Sequence, residues 1–410
     1  MKFNIKVGEF VEQIAQAAIT TDPKSVDQPN SKVFLRALQS SNGSALYFFS
    51  TNQQSKTFVK SEVEVVETGE ALVDAGRLLG GLQGRDGDLM MTFEVVPDSK
   101  IVVKIGRNKF QLPLPTGADK LSKETESLPF RIPATTKIPA GLLLEFIRRT
   151  QFCIPTSGNG QMKVPIDTLH LKKEGDMFHG QATDGNIFSL NHGPVPEEVL
   201  DTKLPSILVP QEALNPLQKL LAKHKDKLVD LVTLSPSTGA AASEVFFRMP
   251  GVLFGSTLRP GKYPPMALLS EQHRPTFEVK TGRDELKGAL GRASNFVQEP
   301  ARVVQLNFNE TVAIQEGDSP TFQLNAGVAP ADINEVLNFD SVGGDVVKLK
   351  THVSLDYVAN VVAALRGDDI VLGVNPDKTK AVIIRDEEHN DEEKLLISSL
   401  YGISPVKADK

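Results

Sequence analysis

Three stretches of this 410-residue chain share one order of predicted secondary structure. Each reads as a strand, a short amphipathic helix, a strand, a turn containing proline, a strand, a loop and a final strand. The turn prolines, Pro97, Pro236 and Pro376, lie 139 and 140 residues apart. A fixed period of this length indicates a structural unit that occurs three times. The stretches begin at Ala71, Ser206 and Asp345.

A strand that leads into a helix precedes each stretch. The three copies read "KFNIKVGEFVEQIAQAA", "TTKIPAGLLLEFIRRTQF" and "TFEVKTGRDELKGALGRAS". In the middle copy, Leu142, Leu143 and Phe146 share one helix face, which predicts that the helix packs on a sheet. The sequence therefore predicts an α+β fold of three similar domains. Polar stretches, "LPTGADKLSKETESLPF" and "SEQHRP", place the domains at 1–125, 126–269 and 270–410.

Composition narrows the class of protein. Apolar runs such as the one from Ile138 to Ile147 are too short to cross a bilayer. The N-terminal "MKFNIKVGEF" lacks the apolar core of a signal peptide, and the single cysteine, Cys153, cannot form an internal disulfide. We therefore expect a cytoplasmic protein without a membrane partner. The net charge is −6, so any contact with nucleic acid requires a locally basic surface.

Basic residues recur on the predicted helices. Arg148 lies opposite the apolar stripe of the middle opening helix, with Arg149 near its edge, and Arg292 faces away from the stripe of the third. Lys219 and Lys223 stand one turn apart on another helix. Two interpretations remain open. The residues form ordinary solvated helix faces, or the helices together line one basic surface.

Catalytic motifs are weak in this sequence. The seven histidines show no metal-binding spacing, although His170 and His179 could face each other across a hairpin. Cys153 has no neighbouring histidine, and the acidic run "RDEEHNDEEK" lacks the pattern of a calcium loop. We predict no catalytic residue, no metal and no cofactor. Two classes of protein stay open as alternatives. One is a three-domain enzyme of unrecognised chemistry that uses the His170/His179 or Asp184 region, and the other is a structural assembly protein.

Asp184 lies in "QATDGNIFSL", where it precedes Gly185. The first repeat has "FFSTNQQSKTF" at the equivalent place, so Thr51-Asn52 corresponds to Thr183-Asp184. Recurrence of Asp or Asn predicts a side chain that caps its own tight turn, which the glycine completes. Under this interpretation Asp184 shapes the end of a strand and performs no proton chemistry.

Several motifs together resemble the bacterial-type DNA polymerase III beta sliding clamp family. "IGRNKFQLPLPTGAD" is similar to the end of that family's first domain, and "TQFC" to its Thr-Gln-Phe-Ser segment. "QATDGNIFSL" stands where the family has Ala-Thr-Asp-Gly-His-Arg-Leu, and "RPGKYPPM" resembles its Gly-Arg-Phe-Pro-Asp-Tyr stretch. The resemblance extends over nearly the whole chain because it includes the threefold repeat.

The resemblance implies three clamp-type domains, each with two helices packed on antiparallel sheets. Two copies would associate head to tail into a ring around double-stranded DNA. It also implies that Phe110 and Leu112, on an edge strand, meet the third domain near Phe296 of another copy. Basic residues would make sequence-independent phosphate contacts. The candidates are Lys24, Arg77, Arg148, Arg149, Lys163, Lys219, Lys223, Lys287 and Arg292.

The resemblance further implies a cleft for short peptides with Leu and Phe anchors, carried by the replicative DNA polymerase and the clamp loader. A mostly apolar groove suits such anchors. Its residues would be Lys163, Ile166, Thr183, Gly185, Asn186, Ile187, Phe188, Pro264, Leu268, Leu269, Ser354, Tyr357, Val382, Leu396, Ser398, Ser399 and Leu400.

The chain departs from the family at three places in this cleft. Asn186-Ile187 replaces the usual His-Arg, and Leu268 replaces an arginine. The family ends in Met-Pro-Met-Arg-Leu, whereas this chain has "LLISSLYGI" and continues to Lys410. We therefore expect a more apolar groove that selects different peptides.

Overall fold

The protein divides into two compact units. Unit 1 contains Met1–Gly141 and Glu212–Leu258, and unit 2 contains Leu142–Gln211 and Arg259–Lys410. The computed structural model describes residues 1–25, 28–40, 43–126, 128–155, 164–237, 240–297, 302–308, 321–328, 331–343, 349–377, 379–386 and 397–406.

The first repeat alternates single helices with groups of antiparallel strands. It opens with β1 (Lys2–Lys6), α1 (Val7–Ala17) and the short α2 (Gln28–Ser31). A group of strands follows, formed by β2 (Val33–Ser40), β3 (Gly43–Thr51), β4 (Ser55–Glu62), β5 (Glu64–Glu67) and β6 (Gly69–Val73). The repeat ends with α3 (Ala75–Leu82), β7 (Met90–Val96), β8 (Lys100–Ile105) and β9 (Asn108–Pro113). Helix α4 (Ala118–Glu126) comes next.

The second repeat has the same order. It opens with β10 (Thr136–Pro139) and α5 (Ala140–Thr150). Four strands follow, β11 (Thr168–Glu174), β12 (Met177–Thr183), β13 (Ile187–Pro194) and β14 (Ile207–Pro210). It ends with α6 (Gln211–Leu221), β15 (Leu228–Leu234), β16 (Glu244–Met249) and β17 (Val252–Thr257). Helix α7 (Met266–Gln272) comes next.

The third repeat completes the pattern. It opens with β18 (Phe277–Gly282) and α8 (Arg283–Ala293). The middle strands are β19 (Val303–Asn307), β20 (Thr321–Val328), β21 (Ala331–Asn338), β22 (Asp340–Gly343) and β23 (Lys350–Ser354). The last elements are α9 (Leu355–Ala364), β24 (Asp369–Val374), β25 (Val382–Asp386) and β26 (Ser398–Ile403).

The element order confirms the predicted threefold repeat. Pro97 directly follows β7, and Pro236 and Pro376 stand one residue further beyond β15 and β24. Each proline therefore lies in the turn after the same strand of its repeat. The domain limits placed at residues 126 and 270 remain predictions, and the middle repeat contributes strands to both compact units.

The two largest sheets have the same strand order. The sheet of unit 1 runs β6-β2-β3-β4-β17-β16-β15-β10, and that of unit 2 runs β14-β11-β12-β13-β26-β25-β24-β18, with β22 added at the end. In each sheet, one repeat supplies half of the strands and the next repeat supplies the other half. All of these pairings are antiparallel.

One row of side chains makes the equivalence of the two sheets explicit. In each sheet the row contains the residue that lies two positions before the threonine at the end of a strand. That threonine is Thr51 at the end of β3 in unit 1, and Thr183 at the end of β12 in unit 2. In unit 1 its members are Phe34, Phe49, Phe58 and Leu253. In unit 2 they are His170, Gln181, Leu190 and Leu400.

Each of the two smaller sheets ends in a strand, and the counterparts of these two strands in the other repeats are paired with each other. Strand β9 ends the sheet β5-β1-β7-β8-β9 of unit 1, and β21 ends the sheet β21-β20-β19-β23 of unit 2. By position in the repeat, β9 corresponds to β17 and β26, and β21 corresponds to β4 and β13. Those counterparts pair as β4 with β17 and as β13 with β26. Within the described residues, the outer sides of β9 and β21 carry no strand.

Aromatic side chains fill the space between helices and sheets. In unit 1 the rings of Phe3 and Phe93 stack 4.9 Å apart, and both are fully buried. In unit 2 the Phe146 ring of α5 packs on Gly180 of β12, where an added Cβ would come within 2.7 Å of the ring. Burial of each such ring contributes about 1.5–3 kcal/mol of apolar transfer energy. Among the described helices, none combines the length and hydropathy needed to cross a bilayer.

Candidate functional site

The turn at Asp184 is fixed by its own side chains. The Asp184 Oδ1 accepts hydrogen bonds from the backbone N–H groups of Asn186 (2.8 Å) and Ile187 (2.9 Å). The Thr183 hydroxyl accepts from the Gly185 N–H at 3.1 Å, and Gly185 has a φ of +94°. A glycine adopts this left-handed conformation without steric cost.

The first repeat builds the same turn from different residues. The Asn52 Oδ1 accepts from the N–H groups of Gln54 (3.1 Å) and Ser55 (2.7 Å). The Thr51 hydroxyl accepts from the N–H of Gln53, which has a φ of +72°. The predicted Asx turn is therefore present in both repeats. A carboxylate in one copy and an amide in the other can serve the same purpose because each offers an acceptor oxygen.

The second oxygen of Asp184 is also occupied. The Tyr357 hydroxyl on α9 donates a hydrogen bond to Asp184 Oδ2. Burial, followed by this contact with Asp184, raises the pKa of Tyr357 to about 12. The residue that the sequence offered as a possible catalytic acid thus ties the β12–β13 turn to α9. This arrangement favours a structural role for Asp184.

An apolar cluster lies beside this turn in unit 2, where the sequence predicts a groove for peptides. Phe188, Met266, Ala381 and Ile383 are its buried members. Partly buried Leu190, Tyr263, Leu269 and Leu400 pack against them. We call these eight residues the Phe188 groove, after the predicted groove. The predicted cleft residues Phe188, Leu269 and Leu400 are therefore brought together, and α7 supplies Met266 and Leu269.

The ring of Phe188 has little freedom. It lies over Gly402, where an added Cβ would come within 2.1 Å of the ring. The other neighbour is the His273 ring, stacked at 6.0 Å. The His273 Nδ1 accepts a hydrogen bond from the Ala381 N–H at 3.1 Å, and burial lowers the pKa of His273. A neutral imidazole thus holds one wall of the groove in place.

Three residues predicted for the cleft lie on the other face of the sheet. Successive side chains along a strand point to opposite faces, and the groove contains Phe188, Ile383 and Leu400. Their neighbours therefore point away from the groove, and all three are buried at 1–2% exposure. Ile187, Val382 and Ser399 are therefore not members of the Phe188 groove, and their part in a peptide cleft stays a prediction. In each case the next residue along the strand belongs to the groove.

The remaining predicted cleft residues vary in position. Thr183 is buried in the turn, and Ser354 caps α9 by accepting from the Tyr357 N–H at 3.4 Å. Leu268 is 54% exposed on α7, and Asn186 is exposed in the turn. The half-buried members are Ile166, Pro264 and Ser398. Lys163 and Leu396 lie outside the described residues.

Arg149 does not fit the predicted DNA-facing set. It is only 4% exposed, and its Nη1 lies 2.8 Å from Asp386 Oδ2. The same nitrogen donates to the hydroxyl of Ser399, which in turn donates to Asn191. Both interpretations of the basic helix residues predict an accessible Arg149, but the helix turns it towards the sheet, where Asp386 of β25 and Ser399 of β26 accept its hydrogen bonds. Burial raises the pKa of Asp386 despite this partner.

Arg148 is also engaged within unit 2. It binds Glu145 at 2.7 Å and donates to the carbonyl oxygens of Ala363 and Ala364 at the end of α9. Burial alone would raise the pKa of Glu145, but hydrogen bonds from Arg148 and Arg366 outweigh it and hold the pKa at about 2. Arg148 is half-buried, so part of its guanidinium remains accessible.

Other predicted basic residues are exposed. In unit 1, Arg77 lies 3.8 Å from Asp74, and Lys223 binds Glu12 at 2.8 Å. In unit 2, Arg292 makes a bidentate pair with Glu335 at 2.7 and 2.8 Å. Lys24, Lys219 and Lys287 are exposed and form no ion pair in the part of the chain that the structure describes.

The residues predicted for the interface between copies lie on the edge strand β9 and just after α8. Phe110 and Leu112 are half-buried on β9, and the Phe110 ring rests against Gly81 of α3. In unit 2, Phe296 is half-buried just beyond the end of α8. These positions agree with the expectation that β9 is an edge strand.

The histidine pair is arranged differently from the expectation. His179 stands opposite Lys172 in the hairpin and opposite His192 on β13, so the rings of His179 and His192 are 5.9 Å apart. His170 bonds instead to Gln181 and Ser206, and burial lowers its pKa to about 4. Cys153 is fully buried, and burial raises its pKa. The described residues contain no cluster suited to a metal ion.

Comparison with known proteins identifies the fold. No sequence-family profile and no curated protein matches the chain. Among solved structures, the DNA polymerase sliding clamp of Bacillus subtilis is 20% identical, with a TM-score of 0.80. DnaN sliding clamps (DNA polymerase III subunit beta) bound to griselimycin, from Pseudomonas aeruginosa and Bartonella birtlesii, are each 18% identical, with TM-scores of 0.79 and 0.78. Each match covers 100% of both chains. The chain therefore has the fold of the DNA polymerase sliding clamps over its whole length.

Proposed function

We propose that this protein is a DNA sliding clamp, a non-catalytic homodimeric ring that encircles duplex DNA and tethers a replicative DNA polymerase. The observation that carries the proposal is the fold match, which spans all three repeats and leaves no segment unaccounted for. Such a ring belongs in the cytoplasm with the replication machinery. It holds DNA through closure of the ring, so tight binding is unnecessary.

The open strands β9 and β21 support the homodimer. Their counterparts in the other repeats pair with each other within one chain, so pairing β9 of one copy with β21 of another repeats an existing joint. Charge favours the same pairing, because Arg107 and Lys109 flank or lie on β9 whereas Asp332 lies on β21. Val336 on β21 is an exposed apolar residue, 52% accessible.

Exposed cations support contact with DNA. Loose contacts between Lys or Arg and phosphates bind without sequence preference and permit sliding. The candidates are Lys24, Arg77, Lys219, Lys223, Lys287 and Arg292, with Arg148 as a partly engaged member. Arg149 is omitted because it is buried. Lys163 stays a candidate from the sequence alone.

The Phe188 groove is the proposed site for partner peptides of the polymerase and the clamp loader. Its floor and walls are apolar, and Asn186 with the half-buried Ser398 gives it a polar margin. Two clamps of the same fold bind griselimycin, which makes this compound a suitable probe for the groove.

Retention on DNA tests the ring. The protein is allowed to thread onto linear duplex DNA with free ends, both ends are then blocked with biotin and streptavidin, and the complex is washed at high salt. A ring stays bound until a nuclease cuts the DNA, because closure resists salt whereas phosphate contacts do not. Release during the wash, from blocked and unblocked DNA alike, would contradict the proposal and favour a structural assembly protein or an enzyme.

A second experiment tests the groove. Leu269→Asp or Leu400→Asp places a charge among apolar side chains and should weaken griselimycin binding at least ~tenfold by calorimetry. Leu200→Asp is the matched control, because Leu200 is 43% exposed in the same unit and does not belong to the groove. Equal binding by all three variants would show that the compound does not occupy the Phe188 groove.

A further inference from the structure

A cavity of about 430 Å³ opens on the large sheet of unit 1. Its floor consists of buried aromatic and aliphatic side chains from the row across the sheet, Phe34, Phe49, Phe58 and Leu253. At its margin stand Leu38 and Phe130, which are 42% and 41% exposed. The Phe130 ring lies 4.5 Å from that of Phe58. We call this cavity the Phe49 pocket, and all of its residues belong to unit 1.

The same row of the second sheet is polar in its first half only, because Leu190 and Leu400 of the Phe188 groove take the places of Phe58 and Leu253. Positions equivalent to Phe34 and Phe49 carry His170 and Gln181. In the row that lies two residues away along the strands, His179 and His192 take the places of Tyr47 and Lys60. Because the two sheets share strand order and register, the fold itself does not require aromatic residues at these positions. In unit 1 the rings form one buried cluster with Leu121 of α4 and Leu128, and the Phe49 pocket opens beside this cluster.

The cations at the margin of the pocket differ in whether they form ion pairs with other described residues. Arg36 binds Glu70 at 2.6 Å, and the Nη2 and Nε of Arg248 both donate to Asp230 Oδ2, at 2.8 and 3.0 Å. Arg248 also donates to the carbonyl oxygens of Phe130 and Ile132, which holds the outer wall in place. Lys60 is exposed and forms no ion pair with any residue in the described ranges. An exposed apolar margin beside an unpaired cation is typical of a surface that binds another protein.

We propose that the Phe49 pocket binds a peptide segment of a partner protein that presents one aromatic or large aliphatic side chain next to a carboxylate. The apolar side chain enters the cavity over Phe49 and Phe58, whose rings favour tilted aromatic contacts. The carboxylate pairs with Lys60, which lies in the same cross-strand row as Tyr47. Exposed Leu38 and Phe130 cover the residues that flank the anchor. This pocket is separate from the Phe188 groove, and the proposal holds whether or not the protein encircles DNA.

Synthetic peptides test the proposal on the full chain. Fluorescein-labelled Gly-Asp-X-Gly peptides, with X as Phe, Trp, Tyr or Leu, are titrated by fluorescence anisotropy up to millimolar protein. At least one peptide should bind, and replacing its Asp with Asn or its X with Ala should weaken binding ~tenfold. Absence of binding by all four peptides overturns the proposal.

Variants locate the binding. Leu38→Asp should weaken the best peptide at least ~tenfold, and Lys60→Gln should weaken it several-fold and remove the effect of the Asp-to-Asn change in the peptide. The matched controls are Val66→Asp, at a residue 47% exposed elsewhere in unit 1, and Lys109→Gln on β9; neither should change binding. Unfolding curves confirm that each variant is folded. Displacement of the peptide by griselimycin, or equal affinity for Leu38→Asp, would place the peptide elsewhere and refute the proposal.

Discussion

At the scale of residues, Asp184 shows how a carboxylate can be fully used without chemistry. One oxygen accepts two backbone N–H groups, and the other accepts the Tyr357 hydroxyl. The repeat supplies an internal comparison, because Asn52 makes the same two backbone contacts without any negative charge. What the position requires is an acceptor oxygen, and the charge is secondary.

The turn predicts unequal effects for two substitutions. Asp184→Ala should lower the free energy of unfolding by roughly 1–2 kcal/mol, because two N–H groups lose their acceptor. Asp184→Asn should cost much less, since the amide oxygen replaces the carboxylate. Urea denaturation measures both, and Asn52→Ala gives the matching loss in unit 1. Equal losses for Ala and Asn at position 184 would show that the charge matters and would revive a chemical role.

His170 predicts a specific pH dependence. Its pKa is about 4 in the folded protein against an ordinary value of 6.5, because burial disfavours the charged ring. The unfolded chain therefore binds more protons in this window, so the stabilisation is present above pH 6.5 and is lost as pH falls towards 4. The loss is on the order of 3 kcal/mol.

A substitution at His170 tests whether this residue causes the pH dependence. His170→Phe, which places the counterpart of Phe34 in unit 2, removes the titrating ring. The variant should show a flatter dependence of Tm on pH between 6.5 and 4, whatever its absolute stability. Parallel curves for the variant and the original protein would mean that His170 does not carry the pH dependence.

At the scale of elements, the strand period explains where prediction from sequence succeeded and where it stopped. The threefold order of strands and helices could be predicted because proline turns and apolar stripes recur at a fixed period. Ile187, Val382 and Ser399 were each one residue from the groove, and a slip of one residue exchanges the two faces of a strand. Strand alternation around Phe188 could have indicated which of these neighbours share its face. It would also have indicated Leu190 and Ile383.

Other features of the site depend on contacts distant in sequence. Arg149 reads as a helix-surface residue until Asp386 and Ser399, more than 200 residues away, are brought against it. Met266 and Tyr263 belong to the groove because α7 lies against β13 and β25, and no local pattern indicates that packing. Burial of an arginine is decided by acceptors on other strands, which local periodicity does not reveal.

The buried pair predicts a large effect on stability and a small one on DNA. Arg149→Met leaves Asp386 buried without its cation, so the free energy of unfolding should fall by roughly 3 kcal/mol. The double variant Arg149→Met/Asp386→Leu should recover much of this loss, because both charges are removed. Lys287→Met on α8 is the control and should leave stability unchanged. If Arg149→Met is fully stable but binds DNA poorly, the residue faces DNA after all.

At the scale of the whole molecule, the open edges β9 and β21 are the proposed contact between copies. Val336→Asp places a charge on the exposed edge strand β21 and should convert the proposed dimer into a monomer of 44.6 kDa in sedimentation experiments. Leu89→Asp, at a residue 45% exposed in unit 1 and outside both edges, should remain dimeric. A monomeric original protein, or a dimeric Val336→Asp variant, would rule out this interface.

The joint between copies would imitate the joints within a copy, and this has a geometric consequence. A contact between unlike surfaces does not by itself limit how many copies join, so the rotation at each joint decides between a closed ring and an endless filament. A ring of two chains with three repeats each has six joints. It closes only when the rotations at these joints add up to one full turn, or about 60° per joint. The strands β4, β17, β13 and β26 therefore do more than stabilise their sheets. In the proposed ring, their twist would set the diameter, so a bulge inserted at an internal joint should prevent closure even though it lies outside the strands where the copies would meet.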